Sequence, residues 1–411
     1  MRVAIITIGS ELTAGRIIDA NTGYLAHDLE QRGAHIALTL SVPDDPDDIA
    51  GAIGFALKGE PELLLLSGGL GPTHDDLTAA SVAMALGLEL RLDRDAEQMV
   101  SGALGATKLE PHQKKQAMLP AGSVPLTPAG TAPGFIVKAG GTLIISLPGV
   151  PAEMKSMWAD ASSSTLVAPV IKAAAARVRM TLCFYGAGEP DIGNAVESFL
   201  ADTHSEFDVS ICDRFGEVVL DVTGPEKYRD RIAELADRLR TRFAKNIFSD
   251  GAAIEEVVAV MMTQNRLTLA AAESCTGGML GEIITAISGA SQFFLGGVIA
   301  YDNSVKVGII DVSQKVIDDD GAVSEAVAKQ MAAGVRTALG SDYGIGITGV
   351  AGPDGGTELK PVGLVYISVS SKTGTDAKDF NFRGGRGDVR RAAIVAALHM
   401  LRRKLLAEVH S

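Results

Sequence analysis

Along the first 160 residues, short apolar runs alternate with stretches of helical spacing. Val3–Ile8, His35–Val42, Leu63–Ser67 and Thr142–Leu147 read as strands. Apolar residues within Asn21–Arg32, Asp47–Leu57 and Leu77–Leu86 recur at the helical period, and the first of these segments stops at Gly33. This βαβα order predicts a mostly parallel sheet with helices on both faces, where ligands bind at the carboxyl ends of strands.

The pattern changes over residues 176–250. Strand Val178–Tyr185, helix Asp191–Leu200, strands Phe207–Cys212 and Glu217–Val222, and helix Lys227–Arg242 make a small α+β layer of KH-like order. It has no GxxG loop, so a structural role is expected rather than single-stranded RNA binding. A third unit begins at Gly251 with a helix. Strand Leu267–Ala272, helix Met279–Ile287, strand Phe293–Tyr301, helix Glu325–Leu339 and strand Tyr343–Thr348 follow. Strands Val362–Val369 and Asp379–Arg383 precede a closing helix from Asp388. The expected fold class is α/β: two α/β sandwich domains, 1–170 and 251–411, joined by an α+β domain at 171–250.

Composition narrows the function. A chain of 411 residues, 46% hydrophobic, is too long for one core. Its 37 basic and 50 acidic residues give a net charge of −13, which repels nucleic acid and anionic lipid. Phosphorylated small molecules remain suitable, because helix starts offer backbone N–H groups to phosphate. Cys183, Cys212 and Cys275 lack metal spacing, and an odd, sparse set points to a reducing, cytoplasmic compartment. The N-terminal stretch lacks signal-peptide features, and no apolar run reaches the roughly 18 residues of a membrane span.

Two glycine-rich strings close strands of the first domain: Gly9-Ser10-Glu11-Leu12, and Gly68-Gly69-Leu70-Gly71-Pro72-Thr73-His74-Asp75-Asp76. Glycines admit a ligand close to the backbone, and a helix starting near Asp75 would present N–H groups to a phosphate. Two aspartates beside a phosphate call for a cation between them, as Mg²⁺ held by one or two carboxylates and phosphate oxygens would be. Helix capping accounts for one aspartate but not for the whole string. With Gly130–Phe135 (GTAPGF) and Leu147–Met154 (LPGVPAEM), these strings resemble the N-terminal domain of the CinA family, which shares its fold with molybdopterin-binding enzymes. The resemblance implies an ADP-ribose pyrophosphatase that uses a divalent cation, Mg²⁺ or Co²⁺. It implies Gly9, Ser10, Gly69, Gly71 and Thr73 around the phosphates and Glu11, Asp44, Asp75 and Asp76 around the metal. Two departures stand out. Pro43-Asp44-Asp45-Pro46 replaces the family's GDNP, and Gln113-Lys114-Lys115-Gln116 replaces Asn-x-Lys-Gln.

In the last domain, Glu273-Ser274-Cys275-Thr276-Gly277-Gly278 follows an apolar strand and precedes a helix. A serine at such a turn suits a nucleophile, an oxyanion hole or a phosphate site, and it also suits a plain N-cap. Ser291 precedes the next strand, which ends in Tyr301, and Lys306 lies about a helical turn further on. A lysine against apolar walls has its ammonium disfavoured and can act as a general base, with a tyrosine hydroxyl as relay. Gly346–Thr357 offers a second cradle, and Arg386 or Arg390 could hold a phosphate bidentately. The strings AESCTGG, GVIAYDNSVK, GAVSEAVA and ITGVAGPDGGT resemble the CinA C-terminal domain, a family that includes nicotinamide mononucleotide deamidases. That resemblance places the active group on Ser274, Ser291, Tyr301, Lys306 and Thr348. It places substrate contacts on Thr276, Gly277, Gly278, Gly349, Gly352 and Arg386, with Gly385 where the family commonly has Asp or Ser.

The expected reaction is serine-dependent hydrolysis of the carboxamide, with Lys306 as base and no metal in this domain. Spacing leaves open whether Ser274 or Ser291 attacks. The resemblance also implies a homodimer. The rival readings are a molybdopterin nucleotidyl transferase and a non-catalytic scaffold linked to competence or DNA damage.

Overall fold

The structure is a computed structural model describing residues 1–173, 177–201 and 206–409. It divides into two compact units, 1–178 and 179–411. The first thus runs past residue 170, where helix Ala168–Ala173 buries Ile171 in its core.

The first unit is built on strands β1 (Arg2–Ile8), β2 (His35–Val42) and β3 (Leu63–Ser67). The short pair β4 (Leu90–Leu92) and β5 (Met118–Pro120) lies apart from the main sheet. Strands β6 (Val124–Leu126), β7 (Gly134–Ala139) and β8 (Thr142–Leu147) complete the order β2-β1-β3-β8-β7-β6. The first four in that order are parallel, and β7 and β6 run antiparallel. Every residue of β3 is buried, as a central parallel strand covered on both faces requires. Helix starts follow the capping residues: Asp19 accepts from Thr22 N–H before Ala20–Gln31, and Asp45 caps a helix that opens at Pro46.

The second unit carries two sheets. Strands β9 (Arg177–Tyr185), β10 (Asp208–Arg214), β11 (Glu217–Pro225) and β12 (Ile247–Ser249) pair in the order β10-β11-β9-β12. Helices Glu189–Leu200 and Arg229–Arg242 belong to this α+β layer, and the strict alternation of β11 marks a sheet buried on one face. The other sheet comprises β13 (Leu269–Glu273), β14 (Phe294–Ile299), β15 (Tyr343–Gly349), β16 (Leu364–Ser370) and β17 (Thr375–Asn381), in the order β14-β13-β15-β16-β17. β14, β13 and β15 are parallel; β16 and β17 are antiparallel. The closing helix, Arg386–Val409, packs against this sheet and also reaches the α+β layer. There His399 is buried, stacks on Tyr185 at 3.7 Å and meets Glu217 Oε1 at 2.6 Å. Burial pushes the His399 pKa down, against the pull of Glu217.

Candidate active site

Because β13, β14 and β15 are parallel, their C-terminal ends meet at one edge of the sheet. Ser274 follows β13 there, half-buried, with its N–H donated to Ile347 O at 3.0 Å. Tyr301 stands just past β14 and is 62% exposed; Thr348 and Gly349 end β15. Asp302 then caps helix Asn303–Ile310 by accepting from Ser304 N–H at 2.8 Å, which turns Lys306 inward.

Lys306 is 1% exposed. Its Nζ donates to Tyr301 O at 3.2 Å and to Asn303 Oδ1 at 3.4 Å. Burial lowers its pKa from the ordinary lysine value, with Asp302 and Cys275 pulling the other way. Ala300 N–H donates to Glu273 O at 2.7 Å, so Tyr301 O, which Lys306 Nζ reaches, follows a residue bonded to the one before Ser274. Burial also pushes the Cys275 thiol up to about 11, which makes it a poor nucleophile.

Arg386 spans the rim, donating from Nη1 to Gly352 O at 3.0 Å and from Nη2 to the Tyr301 hydroxyl at 3.2 Å. Arg390 instead ties down the turn, with Nε and Nη2 on Thr276 O at 3.2 and 2.6 Å. The two arginines thus separate, and Arg386, to which the resemblance assigns the substrate contact, is the one exposed at the rim.

Several expected contacts are placed otherwise. Ser291 lies in a short 3₁₀ turn before β14, exposed, at the N-terminal edge of the sheet. A strand of this length, at about 3.3 Å per residue, keeps it roughly 20 Å from Tyr301 and Lys306 within one chain. The Thr348 hydroxyl donates its only proton to Ala322 O at 2.8 Å, so it cannot also donate to an oxyanion. Gly277 N–H is bonded to Ser274 O, and Gly278 N–H to a carboxylate the sequence reading passed over, that of Glu273. Glu273 is buried and also accepts from Leu280 and Gly281 N–H, each at 3.0 Å. Gly349 is a ladder residue opposite Val365. Among the described residues no backbone carbonyl accepts from Cys275 or Thr276 N–H, though Cys275 N–H lies against its own thiol, and the Thr276 hydroxyl has no hydrogen-bond partner.

In the first unit the glycine-rich strings also sit at the C-terminal ends of β1 and β3, but the acids fold onto their own loops. Asp44 accepts from Ser10 N–H at 2.7 Å, and Ser10 Oγ accepts from Asp44 N–H at 3.1 Å. Asp76 accepts from Thr73 N–H at 2.8 Å, and the Thr73 hydroxyl contacts both aspartates. That hydroxyl holds the exposed Asp75 carboxyl below its usual range. A side chain on Gly9 would meet Glu11 at 2.5 Å, and one on Gly71 would meet Asp76 at 2.6 Å, so acids fill the space before these glycines. The following helix starts at Thr78 rather than near Asp75. Glu11, Asp44, Asp75 and Asp76 are therefore not gathered into one cage, and no cluster of three or more His, Cys, Asp or Glu side chains suited to a metal occurs among the described residues. The paired Asp75 and Asp76 do suit a cation held by one or two carboxylates and phosphate oxygens. Lys115, unassigned from the sequence, donates to Thr73 O beside them. A cavity of about 930 Å³, lined by Leu57, Glu60, Lys138 and Thr142, opens at the opposite end of this sheet, away from these loops.

Comparison with known proteins agrees with the two-part division. Residues 4–168 match the family described as a probable molybdopterin binding domain, and residues 251–405 match the CinA C-terminal domain. A CinA-like protein of Citrifermentans bemidjiense is 38% identical, covering 99% of this chain and 98% of its own length. One of Mycolicibacterium vanbaalenii is 36% identical, covering 98% of each. The solved structure of a CinA protein of unknown function from Thermoplasma acidophilum is 37% identical, spans 39% of this chain and 96% of its own, and has a TM-score of 0.37.

Proposed function

Since the chain belongs to the CinA family along its whole length, we propose that its second unit hydrolyses the carboxamide of nicotinamide mononucleotide to the carboxylate and ammonia. One observation carries this reading: a buried lysine with only neutral hydrogen-bond acceptors, anchored at Tyr301 O next to the Ala300–Glu273 bond that leads into Ser274, where the Cys275 and Thr276 N–H groups are bonded to no backbone carbonyl. Neutral Lys306 takes the Ser274 proton as Oγ forms its bond to the carboxamide carbon. The oxyanion is received by Cys275 and Thr276 N–H. Lys306 returns the proton to the nitrogen, the C–N bond breaks, and ammonia leaves. Water, deprotonated by the same lysine, then cleaves the ester and regenerates Ser274. Arg386 is assigned to the 5′-phosphate, where its fork, now on Gly352 and Tyr301, can be re-aimed.

For the first unit the proposal is ADP-ribose pyrophosphatase activity. Asp75 and Asp76 would hold Mg²⁺ or Co²⁺, which neutralises the pyrophosphate; Lys115 and the backbone after Gly69 would orient it. The working form is proposed to be a cytoplasmic homodimer acting on small nucleotides, without nucleic acid. No helix among the described residues is long and apolar enough to cross a membrane.

The test is ammonia release from nicotinamide mononucleotide by the full chain, alongside Ser274→Ala and Lys306→Ala. Activity that survives in both variants would rule out the serine mechanism. Release of AMP from ADP-ribose with and without Mg²⁺, in the same chain and in Asp75→Ala, tests the other unit.

A further inference from the structure

The turn that carries Ser274 is closed by a residue with no assigned role. The carboxylate of Glu273 reaches forward over its own chain. Oε2 accepts from Gly278 and Leu280 N–H, and Oε1 from Gly281 N–H, all at 3.0 Å. The bond to Gly278 makes a ring of chain with Ser274–Gly277 inside it. From the other side, Arg390 of the closing helix grips Thr276 O with two nitrogens. Ser274 N–H is pinned to β15 through Ile347 O. Glu273 is itself 3% exposed, on a strand whose five residues are all buried.

We infer that Glu273 is a positioning residue for Ser274, holding the serine and the Cys275 and Thr276 N–H groups that follow it in one fixed arrangement. The inference rests on the amidase reading of this site and adds a residue to it. The chemistry requires a carboxylate. Three N–H donors converge, and only a side chain that accepts everywhere and donates nowhere satisfies all of them. A glutamine of the same size would turn at least one N–H toward its own NH₂. An aspartate, one methylene shorter, would fall short of part of the trio. The clamp also fixes the orientation of a nucleotide. With a buried anion already on the Gly278, Leu280 and Gly281 N–H groups, the helix start after this turn offers no donors to a phosphate. The phosphate is directed to the Arg386 rim, which leaves the turn to the amide end.

The experiment compares Glu273→Gln, Glu273→Asp and Arg390→Lys full-length chains with the unaltered one by three readouts. For ammonia release, kcat in Glu273→Gln should fall by about ten- to a hundredfold, the scale of a small misplacement of a reacting group, with KM changed less than about twofold. Glu273→Asp should recover part of kcat. Labelling of Ser274 by a fluorophosphonate should slow in the same order. Amide exchange should quicken over 274–281 and nowhere else. Arg390→Lys, which loosens the same turn from outside, keeps the test open should Glu273→Gln not fold. Exchange that quickens throughout the second unit, with kcat and KM both degraded, would reduce Glu273 to a fold-stabilising acid and overturn the inference. So would unchanged kcat, labelling and exchange. If the unaltered chain releases no ammonia, the amidase reading fails by itself, and labelling and exchange still decide whether Glu273 orders Ser274.

Discussion

Replacing Lys306 with methionine is expected to make the second unit more stable and catalytically dead. Methionine keeps the length and apolar body of the side chain while removing an ammonium that is 1% exposed. Taking such an ion out of water costs several kcal/mol even after relaxation, and the return here comes from two neutral acceptors at 3.2 and 3.4 Å. The downward pull on its pKa gives the sign of the balance: in the folded chain the charged form is the disfavoured one. A gain of about 1–2 kcal/mol at neutral pH is therefore expected for Lys306→Met. Ammonia release should drop at least about a hundredfold if the amine is the base. The pH dependence follows from linkage. Below the folded pKa both states hold the proton, and the burial cost is fully present. Between that value and the ordinary 10.5 the unfolded chain binds more protons, so stability rises with pH. Above 10.5 the cost is gone. Urea unfolding of both chains, following the transition of the second unit, should show a difference that is full below the folded pKa of Lys306 and shrinks toward zero near 10.5. A methionine chain less stable at neutral pH, or a difference flat in pH, would refute the reasoning.

Three further outcomes are expected. Ser291 acts from a second copy or not at all: either Ser291→Ala keeps its activity, or an equal mixture of Ser291→Ala and Lys306→Ala chains regains about a quarter of it through mixed dimers. An inactive Ser291→Ala that mixing does not restore would contradict the placement. Arg386→Ala should raise KM for nicotinamide mononucleotide about tenfold or more while leaving the dephosphorylated nucleoside unaffected, because only the phosphate contact is lost; equal effects on both would refute that role. At Glu408, burial alone would raise the carboxyl pKa. Hydrogen bonds from Thr373, Tyr343 and Ser371, with Lys404 nearby, outweigh that and hold it at about 2. Because this value lies below the unfolded 4.5, about 3 kcal/mol of stability is present above pH 4.5 and lost as pH falls toward 2. Acid unfolding of Glu408→Gln should lack that component.

The parallel strands of both large sheets were legible because buried parallel strands are written as apolar runs, as in Leu63–Ser67 and Tyr343–Gly349, whereas the antiparallel Val124–Leu126 and Gly134–Ala139 were not. β17 was not. Thr375–Asn381 alternates polar and charged residues with few apolar ones, so the pattern favours Asp379–Arg383 instead. The 3-residue β12 is too short to show a period. At the candidate site, the sequence offers Lys306 from its place about a helical turn after an apolar strand that ends in Tyr301. The glycines misled: a Gly-Gly after a serine looks like free N–H groups, but Gly277 N–H is bonded to Ser274 O and Gly278 N–H to the buried acid one residue before the serine. The signal was present in Ala270-Ala271-Ala272-Glu273, where an acid continues a run of buried alanines. An acid there demands an internal partner. Ser291 misled for another reason: nearness in sequence to Tyr301 hides the length of the strand between them.

The closing helix bears on two places at once. Arg386 sits at its first residue, and His399, sandwiched on Tyr185 and bonded to Glu217, sits roughly 20 Å along the same rod. A continuous helix resists bending far better than its ends resist sliding. The α+β layer and the proposed nucleotide rim are therefore expected to be geared to each other. A Glu217→Ala or Tyr185→Ala chain, altered on the far side of that shaft, should betray itself in the grip of Arg386 on phosphate as a raised KM. A KM left untouched would mean the gearing slips.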